Sequence, residues 1–338
     1  MTRQAEVTQK QPILVLGATG SFGGAVTAEL LARGIPTRVL VRDRQKLEGR
    51  YGSMSGLEVL EGDVQNIEHL RRAAKGCKTI VHGVNYLYHQ WFPQMETATR
   101  NILEVAETEN ALLVFPGNVY ALGHAGNKPF DESASNKPVS RKGELRQWME
   151  EELKAYAGSG GRVLIMRAGD YFGPTARNGY IDPLFGAAAS GKMMTALGNL
   201  DLPHQWAYMP DLGRATVDIM LDPQKLSAWE VVNFVGTVVP SQRAFMSDIA
   251  RIAQSPDRVL RLPWWLLKGV SLFSPLIREV MEMKYLWEST VLIDGPRFRD
   301  LLPDFQPTPT DQAIAETIES YRAEMPVTGS TGAKRQMA

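Results

Sequence analysis

The chain has 338 residues, of which 44% are apolar and 22% charged, the mix of a globular enzyme and not of a disordered or fibrous chain. Its 37 basic and 37 acidic side chains cancel, so there is no electrostatic case for nucleic-acid binding. The lone cysteine, Cys77, excludes an intrachain disulfide and favours a reducing, cytoplasmic compartment. One thiol and five histidines without ligand-type spacing predict no metal site.

Short apolar runs alternate with helical patterns through the first half of the chain. The runs predict strands at 13–16, 37–41, 57–60, 79–82, 112–115 and 163–166, with one more at 231–235. Helical spacing predicts helices at 22–33, 67–74, 95–109 and 143–157. This alternation is typical of βαβ units, whose parallel sheet is covered by helices on both faces.

The termini and the most apolar stretch decide the expected boundaries. We expect a flexible N-terminus over 1–11, without the apolar core of a signal peptide, and a disordered tail over 325–338. The stretch 262–277 is too short and too interrupted for an integral membrane segment. It predicts a buried helix or a substrate lid, with a membrane-surface contact as the alternative. With the aromatic residues around it, it is expected to form either a hydrophobic pocket or the core of a second lobe; these residues are Trp264, Trp265, Leu266, Phe273 and Trp287.

Closely spaced glycines follow the first predicted strand and open the first predicted helix. Gly17 permits a tight turn, Gly20 lets backbone N–H groups approach a diphosphate, and Gly23 lets helix and strand pack closely. The helix N-terminus supplies partial positive charge to phosphates. The pattern therefore predicts a dinucleotide site formed by Gly17, Thr19, Gly20, Ser21, Phe22 and Gly23.

The end of the second predicted strand indicates which dinucleotide is bound. Arg42 stands where an NAD site places a carboxylate for the ribose hydroxyl, and Arg42 and Arg44 suit a 2′-phosphate. Asp43, one position on, keeps NAD as the alternative. The sequence favours NADP.

Further positions along the chain resemble the short-chain dehydrogenase/reductase superfamily in its extended or atypical branch, the NAD-dependent epimerase/dehydratase type. The resemblance rests on the glycine loop and on 62–64, 81–84, 97–104, 118–120, 167–174 and 208–212. It implies adenine contacts by Asp63 and Val64 and cofactor contacts by Gly83, Val84 and Asn85.

The resemblance also implies an overall architecture. It is an α/β, Rossmann-type, doubly wound parallel sheet over 12–170, to which a strand at 229–236 returns. A smaller, interleaved substrate-binding lobe is expected over 171–228 and 237–324. Relatives commonly pair through the helices at 95–109 and 143–157, which implies a homodimer, although the charge on the second helix leaves a monomer as the alternative.

The catalytic residues of the resembled family are replaced in this chain. The family uses a Ser, a Tyr and a Lys four residues after the Tyr. Aligned by position, Lys142 takes the place of the Tyr and Arg146 that of the Lys, and the Ser position falls among 116–118, where there is no hydroxyl. Lys142 and Arg146 are therefore candidates for holding the cofactor ribose. Lys142 is an acid or base only if its pKa is lowered by burial or by nearby positive charge.

Other groups are candidates for the lost chemistry. Tyr120, expected to end the fifth strand, is a candidate proton donor, and Asn118 on the same face is a candidate for binding a carbonyl. Asp170, expected at the end of the sixth strand, is a candidate base or hydroxyl acceptor. The predicted substrate contacts are Tyr86, Asn118, Tyr120, Asp170, His204 and Trp206.

The sequence thus predicts an NAD(P)-dependent oxidoreductase or epimerase that acts on a small molecule. Hydride would pass between the nicotinamide and a carbonyl, imine or activated double bond, with a non-standard proton-transfer group. One alternative is an inactive NADP(H)-binding redox sensor, and another is a lyase or dehydratase.

Overall fold

The computed structural model describes residues 11–325, apart from 53, 126, 127 and 178. The expected flexible N-terminus and disordered tail therefore lie, except for residues 11 and 325, outside the described residues. The strands are β1 Ile13–Leu16, β2 Thr37–Val41, β3 Leu57–Glu61, β4 Thr79–His82, β5 Leu112–Gly117, β6 Arg162–Arg167, β7 Asp170–Phe172, β8 Met194–Ala196, β9 His204–Tyr208, β10 Trp229–Asn233, β11 Thr237–Val239 and β12 Val259–Arg261. The helices are α1 Ser21–Ala32, α2 Gln45–Tyr51, α3 Ile67–Ala74, α4 Trp91–Glu109, α5 Arg141–Gly158, α6 Asp182–Ala189, α7 Met209–Met220, α8 Gln242–Ala253, α9 Trp264–Val270, α10 Pro275–Glu282, α11 Lys284–Trp287, α12 Pro296–Leu301 and α13 Thr310–Glu324.

The main sheet has seven strands in the order β10-β6-β5-β4-β1-β2-β3, and every neighbouring pair is parallel. This confirms the doubly wound α/β fold. The chain runs outward from β1 through β2 to β3, then returns to β4 on the other side of β1. Such a reversal opens a crevice at the carboxyl ends of the two central strands, where α/β proteins bind ligands.

Two apolar layers cover the sheet, which is why its strands read as continuous apolar runs. On one face α1 and α7 pack side by side, and their buried residues meet Ile13 and Val15 of β1. On the other face α3, α4 and α5 pack over Leu14 and Leu16 of the same strand. The alternate side chains of one strand therefore lie in opposite cores.

The second lobe is interleaved with the sheet. A three-stranded sheet of order β11-β9-β7 carries the chain away from the end of β6, and Phe172, Phe185, Trp206 and Phe245 form the core between it and helices α6, α8 and α13. Strand β10 then returns to the main sheet beside β6.

The expectation for the apolar C-terminal segment was wrong for most of its residues. Trp265 and Phe273 are 75% and 90% exposed, so they belong neither to a closed pocket nor to a core. Trp287 alone among the five expected aromatic and apolar residues is buried. Nowhere in the part of the chain that the structure describes is a helix long and apolar enough to cross a bilayer.

Candidate functional site

The glycine loop lies between the end of β1 and the start of α1. Gly17 has a φ of +77°, which L side chains rarely adopt, and its carbonyl accepts the N–H of Gly20 at 2.8 Å. The turn places Gly20 at the N-cap of α1, where no side chain caps the helix and no acidic residue occupies the first turn. The positive end of the helix is thus left for an external anion.

Close backbone contacts fix the shape of this loop. A Cβ on Gly17 would lie 2.2 Å from the Gly83 carbonyl oxygen, and a Cβ on Gly23 would lie 2.5 Å from the Gly17 carbonyl oxygen. Gly83 follows β4, and its N–H donates to the Leu16 carbonyl at 2.9 Å. The loops after β1 and β4 therefore meet at the switch point of the sheet.

Arg42 is exposed directly after β2. Burial raises the pKa of Tyr86, and the positive charge of Arg42 reduces that rise. The neighbouring candidates are engaged within the protein. Arg44 donates to the Val59 carbonyl at 2.9 Å, and the Asp43 carboxylate accepts the Gln45 N–H at 3.0 Å. Among the described residues, the Arg42 side chain makes no such hydrogen bond, whereas the side chains of Arg44 and Asp43 each make one.

Asp63 and Val64 follow β3 on the same side of the site. The Asp63 carboxylate accepts the Gln65 N–H at 3.0 Å, and the Asn101 amide donates to the Val64 carbonyl at 2.9 Å. These bonds tie the loop to α4. Val84 is partly buried and Asn85 exposed beyond β4, so the loops after β2, β3 and β4 surround one end of the glycine loop.

Arg50, which sequence reasoning missed, supports the glycine loop from α2. Its guanidinium donates to the Thr19 carbonyl at 3.1 Å and lies 2.6 Å from the position of a Cβ on Gly24. Its Nη2 is buried with no hydrogen-bond partner among the described residues. The available signal was its position eight residues past Arg42 on a helix, but sequence alone does not show that the helix turns back under the loop.

Two tyrosine hydroxyls meet at the carboxyl edge of the sheet. Tyr88 Oη and Tyr120 Oη are 2.7 Å apart, and Trp91 stacks on Tyr120 with ring centroids 6.3 Å apart. Burial raises the pKa of Tyr120 well above its usual value, and the proximity of Tyr88 and Asp170 raises it further. Both hydroxyls are therefore protonated at neutral pH.

The expected strand geometry at Tyr120 was wrong. Strand β5 ends at Gly117, and Tyr120 begins a short 3₁₀ turn over Tyr120–Leu122. The side chain of Asn118 does not lie alongside Tyr120 as in a strand; its Oδ1 accepts the Tyr120 N–H at 3.0 Å. Asn118 thus positions the backbone that presents the Tyr120 ring.

Lys142 is fully buried at the first turn of α5, beside the tyrosine pair. Its ammonium donates to the carboxylates of Glu279 and of Glu282, the latter at 2.6 Å, and lies 5.3 Å from the ring centroid of Tyr88. The Lys142 N–H also donates to Glu282, at 3.1 Å. Sequence reasoning missed both glutamates. Their signal was the three-residue spacing that places them on one face of α10.

Arg146 lies one turn further along α5 and is buried. Its guanidinium donates to the Pro116 carbonyl and lies 4.4 Å from the ring centroid of Phe115. Burial lowers the pKa of Arg146 to about 10. Burial, with the Arg146 charge, lowers the pKa of His82 to about 3, so His82 is neutral inside the sheet. That Arg146 contacts the cofactor ribose stays a prediction.

Asp170 and His204 are brought together although 34 positions separate them, with Asp170 Oδ2 and His204 Nε2 3.0 Å apart. The expectation that Asp170 ends the sixth strand was wrong. Strand β6 ends at Arg167, and Asp170 begins β7, which pairs with β9. Trp206, two residues past His204, is fully buried, which leaves its indole no exposed surface for a substrate.

Tyr171 joins this second group of residues to the glycine loop. Burial raises the pKa of Tyr171, and the nearby Ser21 side chain acts in the opposite direction with a smaller effect. The neighbouring Asp170 raises the pKa of Tyr88 and of Tyr120 in addition to the larger effect of burial. The glycine loop, Asp170 and the tyrosine pair therefore lie near one another at the carboxyl edge.

The fold and this region define a class of protein: a doubly wound α/β protein with a dinucleotide-binding loop at the switch point of its sheet. The NAD dependent epimerase/dehydratase family matches residues 13–234, and the chain belongs to this family. Membership of this family identifies the chain as an enzyme, and the match does not specify which reaction it catalyses.

Among solved structures, the chain resembles the Bordetella bronchiseptica enzyme WbmH in complex with NAD+, with a TM-score of 0.73, 15% identity, and coverage of 93% of this chain and 99% of that one. It also resembles the dTDP-glucose 4,6-dehydratase DesIV from Streptomyces venezuelae with NAD and TYD bound, with a TM-score of 0.75, 17% identity, and coverage of 93% and 97%. Likeness at this identity shows the fold.

Curated relatives match over shorter segments. A UDP-glucose 4-epimerase from Rickettsia rickettsii is 32% identical over 117 residues, which are 30% of this chain and 31% of that protein. Eugenol synthase 1 from Petunia hybrida is 28% identical over 116 residues, which are 32% of this chain and 36% of that protein. The chain thus matches about a third of the length of each.

Proposed function

We propose that this protein is an NADP(H)-dependent oxidoreductase that reduces a carbonyl, or a similarly polarised double bond, of a small molecule, with Tyr120 as the proton donor. The observation that carries the proposal is the pair of hydroxyls, Tyr88 and Tyr120, hydrogen-bonded at 2.7 Å. The pair lies at the sheet edge that also holds the glycine loop, and the Lys142 ammonium lies beside it.

The residues at the switch point fit a dinucleotide. The turn at Gly17 and Gly20 leaves the uncapped end of α1 open to a diphosphate, and a side chain at either position would meet the backbone of the loop or of Gly83. Arg42 is our candidate for a 2′-phosphate, because it is exposed directly after β2 and the guanidinium of Arg44 is held at the Val59 carbonyl. The Asp43 carboxylate accepts one backbone N–H through Oδ1. An arginine at the position of the usual carboxylate favours NADP over NAD.

When bound, the reduced nicotinamide supplies a hydride to the substrate carbon. Tyr120 then gives its proton to the substrate oxygen, which is the stronger base once the carbon is reduced. The Tyr88 hydroxyl, 2.7 Å from the Tyr120 hydroxyl, donates a hydrogen bond to the phenolate left behind, which takes up a proton again before the next turnover. Because the pKa of Tyr120 is raised, its hydroxyl is protonated at neutral pH, which is the state that reduction requires of a proton donor.

The walls of the site suit a substrate with an apolar part and one polar group. Tyr86, Tyr88 and Trp91 give an aromatic wall, where the Trp91 indole donates to the Tyr86 carbonyl at 2.9 Å and meets the Tyr88 ring edge to face at 5.4 Å. On the opposite side, the Asp170–His204 pair offers a carboxylate and an imidazole to a hydroxyl of the substrate. Trp206 lies behind His204 and orients its ring, with centroids 4.5 Å apart.

Cofactor choice tests the first half of the proposal. By calorimetry, wild-type protein should bind NADPH more tightly than NADH. Arg42→Ala should weaken NADPH binding by about 1.5–3 kcal/mol, the worth of a charged hydrogen bond, and leave NADH binding unchanged. Arg44→Ala is the matched control and should change the NADPH affinity much less. Equal affinities of the wild type for the two cofactors would remove the NADP assignment.

Turnover tests the second half. With NADPH and a panel of aldehydes, ketones and enones, Tyr120→Phe should lower kcat about 100-fold or more, the contribution of a positioned acid, with KM little changed. Tyr156→Phe is the control, because its hydroxyl donates to Ala106 and Ala111 inside the core. Full activity of Tyr120→Phe would refute the donor assignment. NADPH binding without turnover of any compound would favour the redox-sensor alternative, and product formed with no net oxidation of cofactor would favour the lyase alternative.

A further inference from the structure

An exposed apolar surface covers two consecutive short helices, α9 and α10, and the turn between them. We call it the apolar cap; it consists of Trp265, Leu266, Val270, Leu272, Phe273 and Leu276. Leu272 and Phe273 at the turn are 71% and 90% exposed, and Trp265 is 75% exposed. Single exposed apolar residues are ordinary, but a cluster of large ones marks a site of interaction.

Hydrogen bonds order the turn that presents the cap. The Ser271 N–H donates to the Leu267 carbonyl at 2.8 Å, and the Ser274 hydroxyl accepts the Ile277 N–H at 3.4 Å, capping α10. Leu267 is buried and faces the protein. On the inner side, Glu279 and Glu282 of α10 hold Lys142. The outward direction of Leu272 and Phe273 is therefore set by the fold.

The charged side chains of the segment 258–278, which carries the cap, are all basic, and Asp257 and Glu279 stand directly outside it. Residues 258–278 contain no Asp or Glu, although the whole chain has as many acidic as basic side chains. Within this segment Lys268 on α9 and Arg278 on α10 are exposed beside the apolar residues, and Arg258 and Arg261 are exposed on the approach to them. The cap is thus an apolar tip with a basic rim.

We propose that the apolar cap docks on an anionic lipid bilayer surface, with Trp265, Leu272 and Phe273 inserted at the level of the headgroups. Tryptophan and phenylalanine suit this interface because their rings are apolar and sit at the boundary with water. Lysine and arginine on the rim pair with anionic headgroups while their stems lie along the apolar region. This docking proposal is independent of the reaction proposed above.

A second copy of the chain fits the cap less well. A two-fold interface through the cap would gather Lys268 and Arg278 of both copies on one interface, with no carboxylate in 258–278 to compensate them. A negatively charged bilayer, in contrast, neutralises all of these charges at once. Charge complementarity therefore selects the lipid surface.

Vesicle sedimentation with the full chain tests the proposal. Wild-type protein should bind vesicles made of equal parts phosphatidylcholine and phosphatidylglycerol, and bind phosphatidylcholine alone weakly. Leu272→Ser with Phe273→Ser should lower the partition coefficient about tenfold or more, since two inserted side chains are lost. Lys268→Gln with Arg278→Gln should remove most of the preference for the anionic vesicles.

Controls separate the cap from general adhesion. Met193→Ser removes an apolar side chain that is 44% exposed elsewhere on the surface, and its binding should equal that of the wild type. Because the altered cap residues are exposed, thermal unfolding should not change. The proposal is overturned by a wild type that ignores anionic vesicles, by a Leu272→Ser and Phe273→Ser variant that still binds them, or by a wild-type dimer that this variant converts to a monomer.

Discussion

Gly17→Ala is the substitution whose effect the structure defines most closely. Gly17 has a φ of +77°, and an added Cβ would lie 2.2 Å from the carbonyl oxygen of Gly83. Gly83 has no room to move away, because its own N–H is bonded to Leu16 and a Cβ at Gly83 would itself lie 2.7 Å from the Leu16 carbonyl oxygen. The strain must therefore appear in the loop.

Two costs add at Gly17, and Gly34→Ala separates them. Gly34 has a φ of +67° with nothing within 4 Å of an added Cβ, so its substitution carries the conformational cost alone, about 1–2 kcal/mol. Gly17→Ala carries that cost and, in addition, about 1–3 kcal/mol of overpacking. The free energy of unfolding, measured by urea denaturation, should differ between the two variants by the second amount.

The same substitution should weaken cofactor binding. Displacing the loop disturbs the N–H groups that face the diphosphate, and losing one hydrogen bond to a charged group costs about 1.5–3 kcal/mol, or roughly a tenfold change in Kd or more. Calorimetry with NADPH measures it. If Gly17→Ala and Gly34→Ala unfold alike and both bind NADPH like the wild type, then the contact between the loops after β1 and β4 does not shape the site.

Two further predictions concern buried charge. The pKa of His82 is lowered to about 3 from 6.5, so the unfolded chain takes up a proton that the folded chain does not; between these values the free energy of unfolding should fall as the pH falls, by about 1.4 kcal/mol per unit from this group. His82→Gln should lack that component when urea denaturation is compared at about pH 7.5 and about pH 5, and equal slopes for both proteins would contradict it. Glu150 accepts a hydrogen bond from the buried Arg167 at 3.1 Å; Glu150→Gln should destabilise the fold by about 3 kcal/mol, while exposed Glu151→Gln should stay within about 0.5 kcal/mol in the same assay.

The main sheet could be predicted because its strands are buried on both faces. All seven predicted runs lie in strands whose observed bounds differ by at most two residues at either end, the largest shift being from 231–235 to Trp229–Asn233. Short continuous apolar runs between glycine turns and helices are compatible with few structures other than strands of a buried parallel sheet. The short strands of the second lobe, such as β7 and β9, lacked this signal, because three to five residues with polar members do not form a distinctive pattern.

The site could be predicted only where its residues belong to one local pattern. The glycine loop is local, since strand, turn and helix are consecutive. The Asp170–His204 pair is not, because it exists only through the pairing of β7 with β9. The turn at Tyr120 was misjudged although the predicted run stops at 115 and Pro116 and Gly117 mark a turn, because Tyr120 was still placed on the strand. Aromatic residues of α9 and the following turn were placed inside because sequence hydrophobicity does not distinguish a core from an exposed interaction surface.

The burial of Lys142 explains why two glutamates of a distant helix pack against it. Its side chain is fully buried, and a buried ammonium without a counter-charge costs several kcal/mol. A lysine buried at this position therefore requires carboxylates from another element. Glu279 and Glu282 meet that requirement from α10, 137 and 140 positions along the chain. Two carboxylates of one helix thus hold one ammonium of another. The same helix carries Leu276 of the apolar cap, so α10 connects the cap to the residues that hold Lys142.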